Sequence, residues 1–510
     1  MSSAGGGETD CESGGPPPQV RHGSWTGSRG WFDGWRSILD APVSSSSLAA
    51  FRVLFGLLNL YGAVRFLANG WVDRFFVRPD NYLPYWGLEW LVPLNPAGMY
   101  VVFGAMVVTS LMIALGAWYR AAVVLHFLLF TYVELLDVTN YLNHYYLVSV
   151  LSFWMIWLPA SSRWSVDVWR GATSERLVLP AWPVLGLRVQ LSLVYFYAGL
   201  AKLNSDWLVH AQPLNLWLSA RTETPVIGPW LDSWWVALLM SWGGFLFDLT
   251  VWVFLWWPRT TLLAWLVVLV FHGVTGSLFM IGMFPWIMVT GTTVFFAFDW
   301  PERLGRRFGW VAGVVGPDRL GERPEGRFGG DGAALGLDPG LSRGAWEGAR
   351  WRVLARGVLV LLLLVQVLLP LRGYVGGGVV NWHEQGMRWS WRVMVREKNG
   401  SVTYRVHSPS LDRTWLESPS RYLTDQQERE MAGQPDLILQ VAHWVARDYR
   451  ARGVEDVQVY VDAWVSWNGR RPARLIEPDV DLVRVRRSLF GREWISEAPA
   501  EAPPRLERMR

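Results

Sequence analysis

The feature that most constrains this chain is a series of apolar stretches long enough, or nearly long enough, to cross a lipid bilayer. A helix rises about 1.5 Å per residue, so roughly 20 apolar residues span ~30 Å of hydrocarbon. With 51% hydrophobic residues, the chain is too apolar for an ordinary soluble enzyme. We therefore predict an α-helical integral membrane bundle of about nine transmembrane helices. The predicted spans are residues 48–67, 98–117, 121–138, 142–159, 184–201, 234–257, 261–274, 278–298 and 353–371.

The segments outside the spans predict the domain organisation. The first 45 residues contain no apolar signal segment and are predicted to form a disordered, uncleaved tail. The single cysteine, Cys11, lies in this tail and permits no intrachain disulfide. The predicted parts are a tail (1–45), a transmembrane domain (46–298), a cytoplasmic Gly/Arg-rich linker (299–352), a last transmembrane helix (353–371), an extracytoplasmic β-rich domain (372–490) and a C-terminal tail (491–510).

The arginines predict the orientation in the membrane. Nine of them lie in residues 299–352 and three more in residues 159–183. Because cytoplasmic loops carry an excess of basic residues, both loops and the N-terminus are expected to be cytoplasmic. The domain after residue 371 is then extracytoplasmic. The net charge of +4, without a basic stripe interleaved with aromatics, does not indicate nucleic-acid binding.

Beyond residue 371 the apolar runs give way to the period-two alternation typical of β-strands. In "RWSWRVMVREKNG", Trp391, Val393 and Val395 are predicted to share one face of a strand that ends in a tight turn at Asn399-Gly400. "WVSWNGRRPARL" repeats this arrangement with Asn468-Gly469. We therefore predict a small, mainly β domain.

One helical segment interrupts this β pattern. The stretch from residue 423 to residue 453 has a plausible N-cap at Thr424 and ends at Gly453. Pro435 lies inside it and should break it, so two helical pieces are expected.

Lysine usage singles out one candidate catalytic residue. Of the 47 lysines and arginines, only Lys202 and Lys398 are lysines. Arginine can reach lipid headgroups as well as lysine can, but only lysine can lose its proton in an apolar site. Lys202, at the predicted outer end of the fifth span, is therefore interpreted as a functional amine, with snorkelling to the interface as the alternative. Lys398 is interpreted as a charge at a solvated hairpin tip.

Two histidines are predicted at the same face of the membrane. His144 begins the fourth span between Asn143 and Tyr145, and His272 lies near the end of the seventh span, where glycines and a proline interrupt the apolar run. Ionisable groups in membrane spans indicate function, although each histidine alone could be a packing residue. The remaining histidines lack the close spacing of a zinc site, so no metal is expected.

At these residues the sequence resembles the vitamin K-dependent γ-glutamyl carboxylases. "YFYAGLAKLNSDWL" resembles the lysine motif of that family, with Lys202 in the place of the catalytic base. "YLNHYYL" and "FHGVTGSLFMIGMFPWIM" resemble its two histidine segments, with His144 and His272. "RWSWRVMVREKNG", "LTDQQEREM" and "WVSWNGRRPARLIEPDVDL" resemble motifs of its β domain, so the likeness runs from about residue 43 to about residue 485.

The resemblance implies an enzyme that oxidises vitamin K hydroquinone with O₂ to the 2,3-epoxide, removes the γ-proton of a glutamyl residue and adds CO₂. Lys202 would take the phenolic proton of the hydroquinone, and His144, held by Asn143, would assist at the glutamyl carbon. Tyr145 and His272 would contact quinone or substrate. The implied partners are a glutamyl peptide or protein, the lipid bilayer and the membrane quinol pool. The arginine bias indicates a GC-rich bacterial genome and the inner membrane, where menaquinol could replace vitamin K.

Three positions depart from the family pattern: Ala201 stands where a second lysine is common, and Leu142 and Thr275 stand where asparagines are common. These departures and the short C-terminal domain keep two alternatives open. One is a quinol epoxidase, or another oxygen-dependent enzyme, that does not carboxylate. The other is a non-enzymatic quinone-binding or transport protein in which Lys202 is a counter-ion.

Overall fold

The computed structural model describes residues 29–309, 349–488 and 491–506 of the chain. It contains a helical bundle that ends at residue 375 and a C-terminal domain, residues 380–506, built around a four-stranded sheet. The helices are α1 (Arg29–Leu39), α2 (Ser46–Ala68), α3 (Trp71–Phe76), α4 (Pro96–Leu115), α5 (Tyr119–Leu135), α6 (Asn143–Trp157), α7 (Val166–Trp169), α8 (Trp182–Ala201), α9 (Ser205–Leu208), α10 (Leu214–Ser219), α11 (Gly228–Leu231), α12 (Trp234–Trp256), α13 (Thr261–Leu278), α14 (Phe284–Gly291), α15 (Trp300–Arg307), α16 (Ala349–Val375), α17 (Val380–His383), α18 (Asp425–Ala432) and α19 (Pro435–Ala451). The strands are β1 (Pro42–Ser44), β2 (Val178–Pro180), β3 (Lys398–Ser408), β4 (Arg413–Glu417), β5 (Gln458–Trp467) and β6 (Ala473–Arg474). Short 3₁₀ helices are Val138–Asn140, Thr292–Phe295 and Pro419–Arg421.

Six of the described helices are long and apolar enough to cross a membrane, as expected for an integral membrane protein. The other three predicted spans fall on shorter helices. With 15 residues, α6 rises only about 22 Å, and α14 has eight residues before it continues as a 3₁₀ turn. The count of nine spans therefore stays a prediction. The six long helices are α2, α4, α8, α12, α13 and α16.

The ends of the segments predicted as tail and linker are partly folded. Within the predicted tail, α1 and β1 are formed, and β1 pairs antiparallel with β2 through Val43 and Leu179. At the ends of the predicted linker lie α15 and the first residues of α16. The predictions for residues 1–28, 310–348 and 507–510, including that for Cys11, lie outside the described residues.

The C-terminal domain packs directly on one end of the bundle. Its sheet is antiparallel in the order β4-β3-β5-β6, and α18 and α19 follow β4 in sequence. Alternation along β3 buries Val402, Tyr404 and Val406, as the period-two pattern predicts for a strand with one covered face. Leu83 and Tyr85, from the loop between α3 and α4, belong to the same apolar core. The bundle and the domain therefore share a core at this end.

The predicted hairpin turn at Asn399-Gly400 is wrong. Both residues lie inside β3, where they pair with Ser466 and Val465 of β5. A Cβ at Gly400 would come within 2.9 Å of the Ala432 carbonyl oxygen, so this glycine allows the end of α18 to pack on the strand.

The strand predicted before this turn is also absent. Residues 388–397, which we call the linking segment, form neither helix nor strand. The backbone has positive φ at Trp389, Trp391 and Met394, which is incompatible with an extended strand and its alternating faces. Trp391, Val393 and Val395 therefore do not share the face of a strand.

Two other predictions for this domain are confirmed. The predicted helical stretch forms two helices, α18 and α19, and Pro435 is the first residue of the second. Thr424 caps α18 in a capping box with Gln427. A turn follows β5 at Asn468-Gly469, where φ is 51° and 77°.

Candidate active site

Lys202 lies at the C-terminal end of α8, at the end of the bundle that faces the C-terminal domain. Its Nζ donates to the Asp248 Oδ2 at 2.7 Å and to the Ala198 carbonyl oxygen at 3.2 Å. A third, longer contact of 3.4 Å reaches the carbonyl oxygen of Val393 in the linking segment. The side chain is only 6% exposed, so Lys202 does not snorkel to the membrane surface.

Asp248 is a site residue that the sequence interpretation missed. It lies in α12, within the apolar run "FLFDLTVW", and its side chain is 9% exposed. A carboxylate inside a membrane span was the available signal, because such groups are costly unless they are paired. Its position 2.7 Å from the Lys202 ammonium changes the chemistry expected there. Instead of a lone amine, the site holds a lysine that is hydrogen-bonded to a buried carboxylate.

Close packing of α8 against α12 brings this pair together. A Cβ at Gly199 would lie 2.8 Å from the backbone nitrogen of Leu249, next to Asp248 in sequence, so the helices could not approach this closely with a larger residue. Just beyond Lys202, the Asn204 side chain accepts a hydrogen bond from the Trp207 nitrogen and begins α9. The motif "YAGLAKLNSDW" therefore ends one helix, places the lysine against α12 and starts the next helix.

A cavity of about 70 Å³ opens beside the Lys202–Asp248 pair. The His272 Nε2 on its wall lies 3.2 Å from the Tyr195 hydroxyl, and its Nδ1 is buried without a hydrogen-bond partner among the described residues. Polar side chains on the wall include those of Lys202, Asp248, His272, Tyr195 and Thr275. Apolar wall residues include Trp207, Phe271, Phe279, Phe284 and Met288.

His144 lies close to this cavity but does not line it. Its ring is 6.3 Å from that of Phe284, which is in turn 5.7 Å from the His272 ring, so Phe284 separates the two histidines. His144 is buried, and neither ring nitrogen has a hydrogen bond within the described parts of the chain. The structure thus brings Lys202 and His272 to one cavity and leaves His144 behind its aromatic wall.

Asn143 and Tyr145 have other partners than expected. The Asn143 side chain accepts from the Tyr141 hydroxyl at 3.0 Å and donates to the Arg392 carbonyl oxygen at 3.2 Å, so it does not hold the His144 ring as the resemblance implied. Tyr145 packs against the rings of His144 and Phe130, and it does not line the cavity.

The linking segment closes the end of the bundle over the site. The Trp389 nitrogen donates to the Tyr141 hydroxyl at 2.7 Å, and the Trp391 ring stacks on Tyr146 at 4.8 Å. Val393 and Met394 are part of the cavity wall. The segment therefore supplies backbone groups to Lys202 and Asn143, a role that the predicted strand did not suggest.

A buried ion pair fixes the C-terminal domain beside the lysine motif. Asp206, in α9, receives two hydrogen bonds from the Arg470 guanidinium, at 2.6 and 2.7 Å, and one from the Asn468 side chain at 2.7 Å. Both charged side chains are nearly inaccessible to solvent. The Asn468-Gly469 turn thus docks on the loop that follows Lys202.

The second lysine is not at a solvated hairpin tip, as the sequence suggested, because Lys398 is buried inside the C-terminal domain. Its Nζ donates to Glu384 Oε1 at 2.9 Å, to the Gly433 carbonyl oxygen at 2.8 Å and to the Trp382 carbonyl oxygen. Arg396 donates to the other carboxylate oxygen of Glu384 at 2.9 Å. Burial lowers the pKa of Lys398 from 10.5 to about 8, against the opposing attraction of Glu384.

Two family models match the chain, one over each part of the structure. The model described as "HTTM domain" matches residues 41–300, about half of the chain and most of the bundle. The model described as "Vitamin K-dependent gamma-carboxylase, lumenal domain" matches residues 351–501, from α16 to the end of the C-terminal domain. Comparison with solved structures found no match.

Proposed function

The chain belongs to the vitamin K-dependent γ-glutamyl carboxylase family, and on this premise we propose that it is a membrane enzyme that carboxylates glutamyl side chains using a quinol, O₂ and CO₂. The observation that carries the proposal is the buried Lys202–Asp248 pair on the wall of an apolar cavity. Family membership alone would not identify the reacting groups, and the geometry of this pair supports Lys202 and Asp248 in that role.

The residues that line the cavity suit the ring system of a reduced naphthoquinone such as vitamin K hydroquinone or menaquinol, and the cavity, at about 70 Å³, would have to widen to hold it. Its aromatic and aliphatic side chains favour a flat apolar ring system. Lys202 and Asp248 can hydrogen-bond one phenolic oxygen, and the unpartnered Nδ1 of His272 offers a further polar contact. When bound, the quinol supplies through its oxidation by O₂ the strong base that removes the γ-proton of glutamate. CO₂ then adds to the γ-carbon.

The proposed task of Lys202 and Asp248 is to accept the phenolic proton. When a proton moves from the Lys202 ammonium to the Asp248 carboxylate, the amine becomes neutral and can act as a general base. After it accepts the phenolic proton, the pair holds two protons and the ammonium lies next to the negative oxygen of the quinol. Such an ion pair is stabilised strongly where water is excluded.

The linking segment would keep water out of the reaction. Val393 and Met394 cover the cavity from the side of the C-terminal domain, and the Val393 carbonyl oxygen lies near the Lys202 amine. A strongly basic species would be quenched by bulk water, so a dry site is a requirement of this chemistry.

We assign His144 to the glutamyl half of the reaction. It is buried beside the cavity behind Phe284, and its ring nitrogens are free of protein hydrogen bonds among the described residues. A glutamyl side chain that displaced Phe284 would meet the imidazole on one side and the quinol on the other. Peptide would then reach the site from the side of the C-terminal domain, which we propose is extracytoplasmic, with the N-terminus cytoplasmic.

A second candidate is quinol epoxidation without carboxylation. It is favoured by the position of His144, which does not line the cavity that Lys202 shares with His272. This reaction would need Lys202 and Asp248 but no glutamyl site, so it predicts epoxide formation without a peptide.

Both candidates are tested by one assay on detergent-purified protein. Reduced vitamin K or menaquinol, O₂, labelled bicarbonate and a short glutamyl peptide are supplied, and epoxide and fixed label are measured separately. Carboxylase activity predicts both products, with the label on glutamate. Epoxide alone, with or without peptide, supports the second candidate. Neither product with either quinol would contradict both and favour a non-enzymatic quinone-binding or transport role.

A further inference from the structure

A second cavity, of about 400 Å³, lies on the surface of the C-terminal domain, and the proposed reaction does not use it. One wall is α19, and the others are formed by loop residues 84–89 of the bundle and by residues 483–487. We call it the α19 groove. It is larger than the cavity at Lys202 and more open to solvent, so it can receive a solute without a change in the fold.

The α19 groove follows one face of a helix. Gln440, His443, Trp444, Arg447 and Arg450 all contribute to its wall. Their spacing of three or four residues places them in a single stripe along α19. The groove is therefore an elongated surface along three turns of a rigid helix, the shape that an extended chain segment requires.

The charge of the groove is positive. Arg447 and Arg450 are exposed and form no ion pair with any described residue. A third arginine, Arg487, is held by Glu89 at 3.4 Å and by Asp436 at 3.9 Å. Glu89, the only carboxylate that the described residues place on the wall, is thus already paired with Arg487, and two cationic side chains remain available.

The remaining wall is suited to a peptide. Trp444 and Val483 provide apolar surface next to the arginines, and Trp and Arg are residue types that are enriched at protein recognition sites. Asp436, which holds Arg487, also accepts from Arg388 at 2.7 Å, and Arg388 is the first residue of the linking segment. Asp436 therefore connects the groove to the linking segment, which covers the Lys202 site.

From the charge, shape and position of the groove, we propose that it binds an acidic stretch of the peptide substrate, at a distance from the glutamate being modified. The identity of this partner rests on the proposed function, because the substrate of a glutamyl carboxylase carries carboxylates. Arg447 and Arg450 would pair with glutamate or aspartate side chains of the bound segment, and Trp444 would pack on its apolar atoms. A second contact raises the effective concentration of the target glutamate at the reaction site.

The proposal is tested by peptide binding to the full-length protein in phosphatidylcholine nanodiscs, without quinol or bicarbonate. The probe is a fluorescein-labelled glutamate-rich peptide, and the matched probe has glutamine in its place. Fluorescence anisotropy should show binding of the first that weakens with salt, and little binding of the second. The double variant Arg447→Glu, Arg450→Glu should weaken binding by roughly tenfold or more, because charge reversal adds repulsion.

The matched control is Arg429→Glu, Arg471→Glu, which makes the same charge change at exposed positions outside the groove. Equal loss of binding in both double variants would overturn the proposal, since it would reflect net charge alone. Equal binding of the two peptides would overturn it as well.

Anionic lipid is the competing occupant, because Trp86 and Trp90 beside the groove are exposed and are of a type common at membrane interfaces. If the groove variant loses association with phosphatidylglycerol vesicles but keeps peptide binding, the groove is a lipid site and the proposal fails. Failure of the proposed function would look different: the peptide would bind in the wild type, and no label would be fixed. If the wild type fixes label but the groove variant binds the peptide as tightly as the wild type, the proposed function stands and only the proposal for the α19 groove fails.

Discussion

The two lysines of this chain are both buried against a carboxylate, yet their surroundings differ. Lys202 faces Asp248 between two membrane helices, beside an open cavity. Lys398 faces Glu384 inside the C-terminal domain, where two backbone carbonyls and a second cation, Arg396, complete the cluster. An ammonium has three donors, and those of Lys398 are all used within the protein at 2.9 Å or less.

Burial and ion pairing therefore do not by themselves identify a catalytic group. At Lys202 one of the three contacts is long, 3.4 Å to Val393, and a space beside the amine can hold a reactant. At Lys398 all three N–H donors are already bound within the protein, as in a structural ion pair. What marks the site is a charged pair with spare hydrogen-bonding capacity on a cavity wall.

The largest effect is expected for Lys202→Arg compared with Lys398→Arg. Arginine keeps the charge but cannot become a neutral base, so Lys202→Arg should lower epoxide formation by roughly 10²- to 10⁴-fold. Lys398→Arg should retain the rate per folded molecule, because Lys398 has no part in the chemistry. Initial rates are measured alongside thermal unfolding, and a similar loss of rate in both well-folded variants would count against the distinction.

Asp248→Asn is expected to have the next largest effect. Asparagine can still accept a hydrogen bond from Lys202 but cannot take its proton, so the rate should fall roughly tenfold to hundredfold. A pH–rate profile separates this role from a structural one, because loss of a carboxylate that takes part in proton transfer should change the shape of the profile. A full rate with an unchanged profile would mean that Lys202 works alone.

Glu384→Gln should show the opposite pattern, a loss of stability without a loss of rate. The change leaves the buried Lys398, and the partly exposed Arg396, without a counter-ion, and an unpaired buried charge typically costs about 3–5 kcal/mol. Chemical unfolding of the purified protein should register the destabilisation, while the rate per folded molecule stays near that of the wild type. A catalytic defect in fully folded Glu384→Gln would show that the second pair also acts in the reaction.

Gly199→Ala should disturb the first pair through packing alone. The added methyl group meets the backbone of α12 at Leu249, and overpacking of this kind typically costs about 1–3 kcal/mol. We expect a lower unfolding temperature and a reduced rate, because Lys202 and Asp248 are pushed apart. Gly243→Ala is the matched control in α12, since a Cβ there meets nothing within 4 Å. Equal behaviour of the two variants would argue against close helix packing as the cause of the pair.

The smallest effect is a pH dependence of stability from Lys398. Its pKa is lowered to about 8 in the folded protein, so the unfolded chain binds more protons between about pH 8 and pH 10.5. The contribution of Lys398 to stability therefore rises with pH across this window and is lost as the pH falls to 8. Relative to Lys398→Met, the wild type should gain about 1 kcal/mol between pH 8 and pH 9. A flat difference would mean that the folded-state pKa of Lys398 is not lowered.

Local sequence signals predicted much of the architecture. Apolar length identified the long helices, and Thr424 and Pro435 identified α18 and α19, because caps and breakers act within a few residues. The same dipeptide, Asn-Gly, forms a turn at 468–469 and part of a strand at 399–400. Asn399-Gly400 is part of a strand because α18 packs on it, and a local sequence pattern does not indicate this packing.

The candidate site was predictable only in part for the same reason. Lys202 was singled out by the scarcity of lysine, but its partner Asp248 lies 46 residues away and meets it through the contact of α8 with α12. The burial of Lys398 likewise depends on Glu384 and Gly433, which come from different elements. Long-range packing decides which charged groups pair, and a single sequence does not reveal it.

The most direct test of the central claim is anaerobic binding of the reduced quinol to the purified protein, followed by ultraviolet difference spectroscopy. Without O₂ no turnover follows, so the spectrum reports only whether the quinol loses a proton on binding. We expect the absorbance of the ionised quinol with wild type and with Lys398→Ala, and its loss with Lys202→Ala even when the quinol still binds. An ionised quinol in Lys202→Ala, or none in the wild type, would contradict the assignment of the Lys202–Asp248 pair as the proton acceptor.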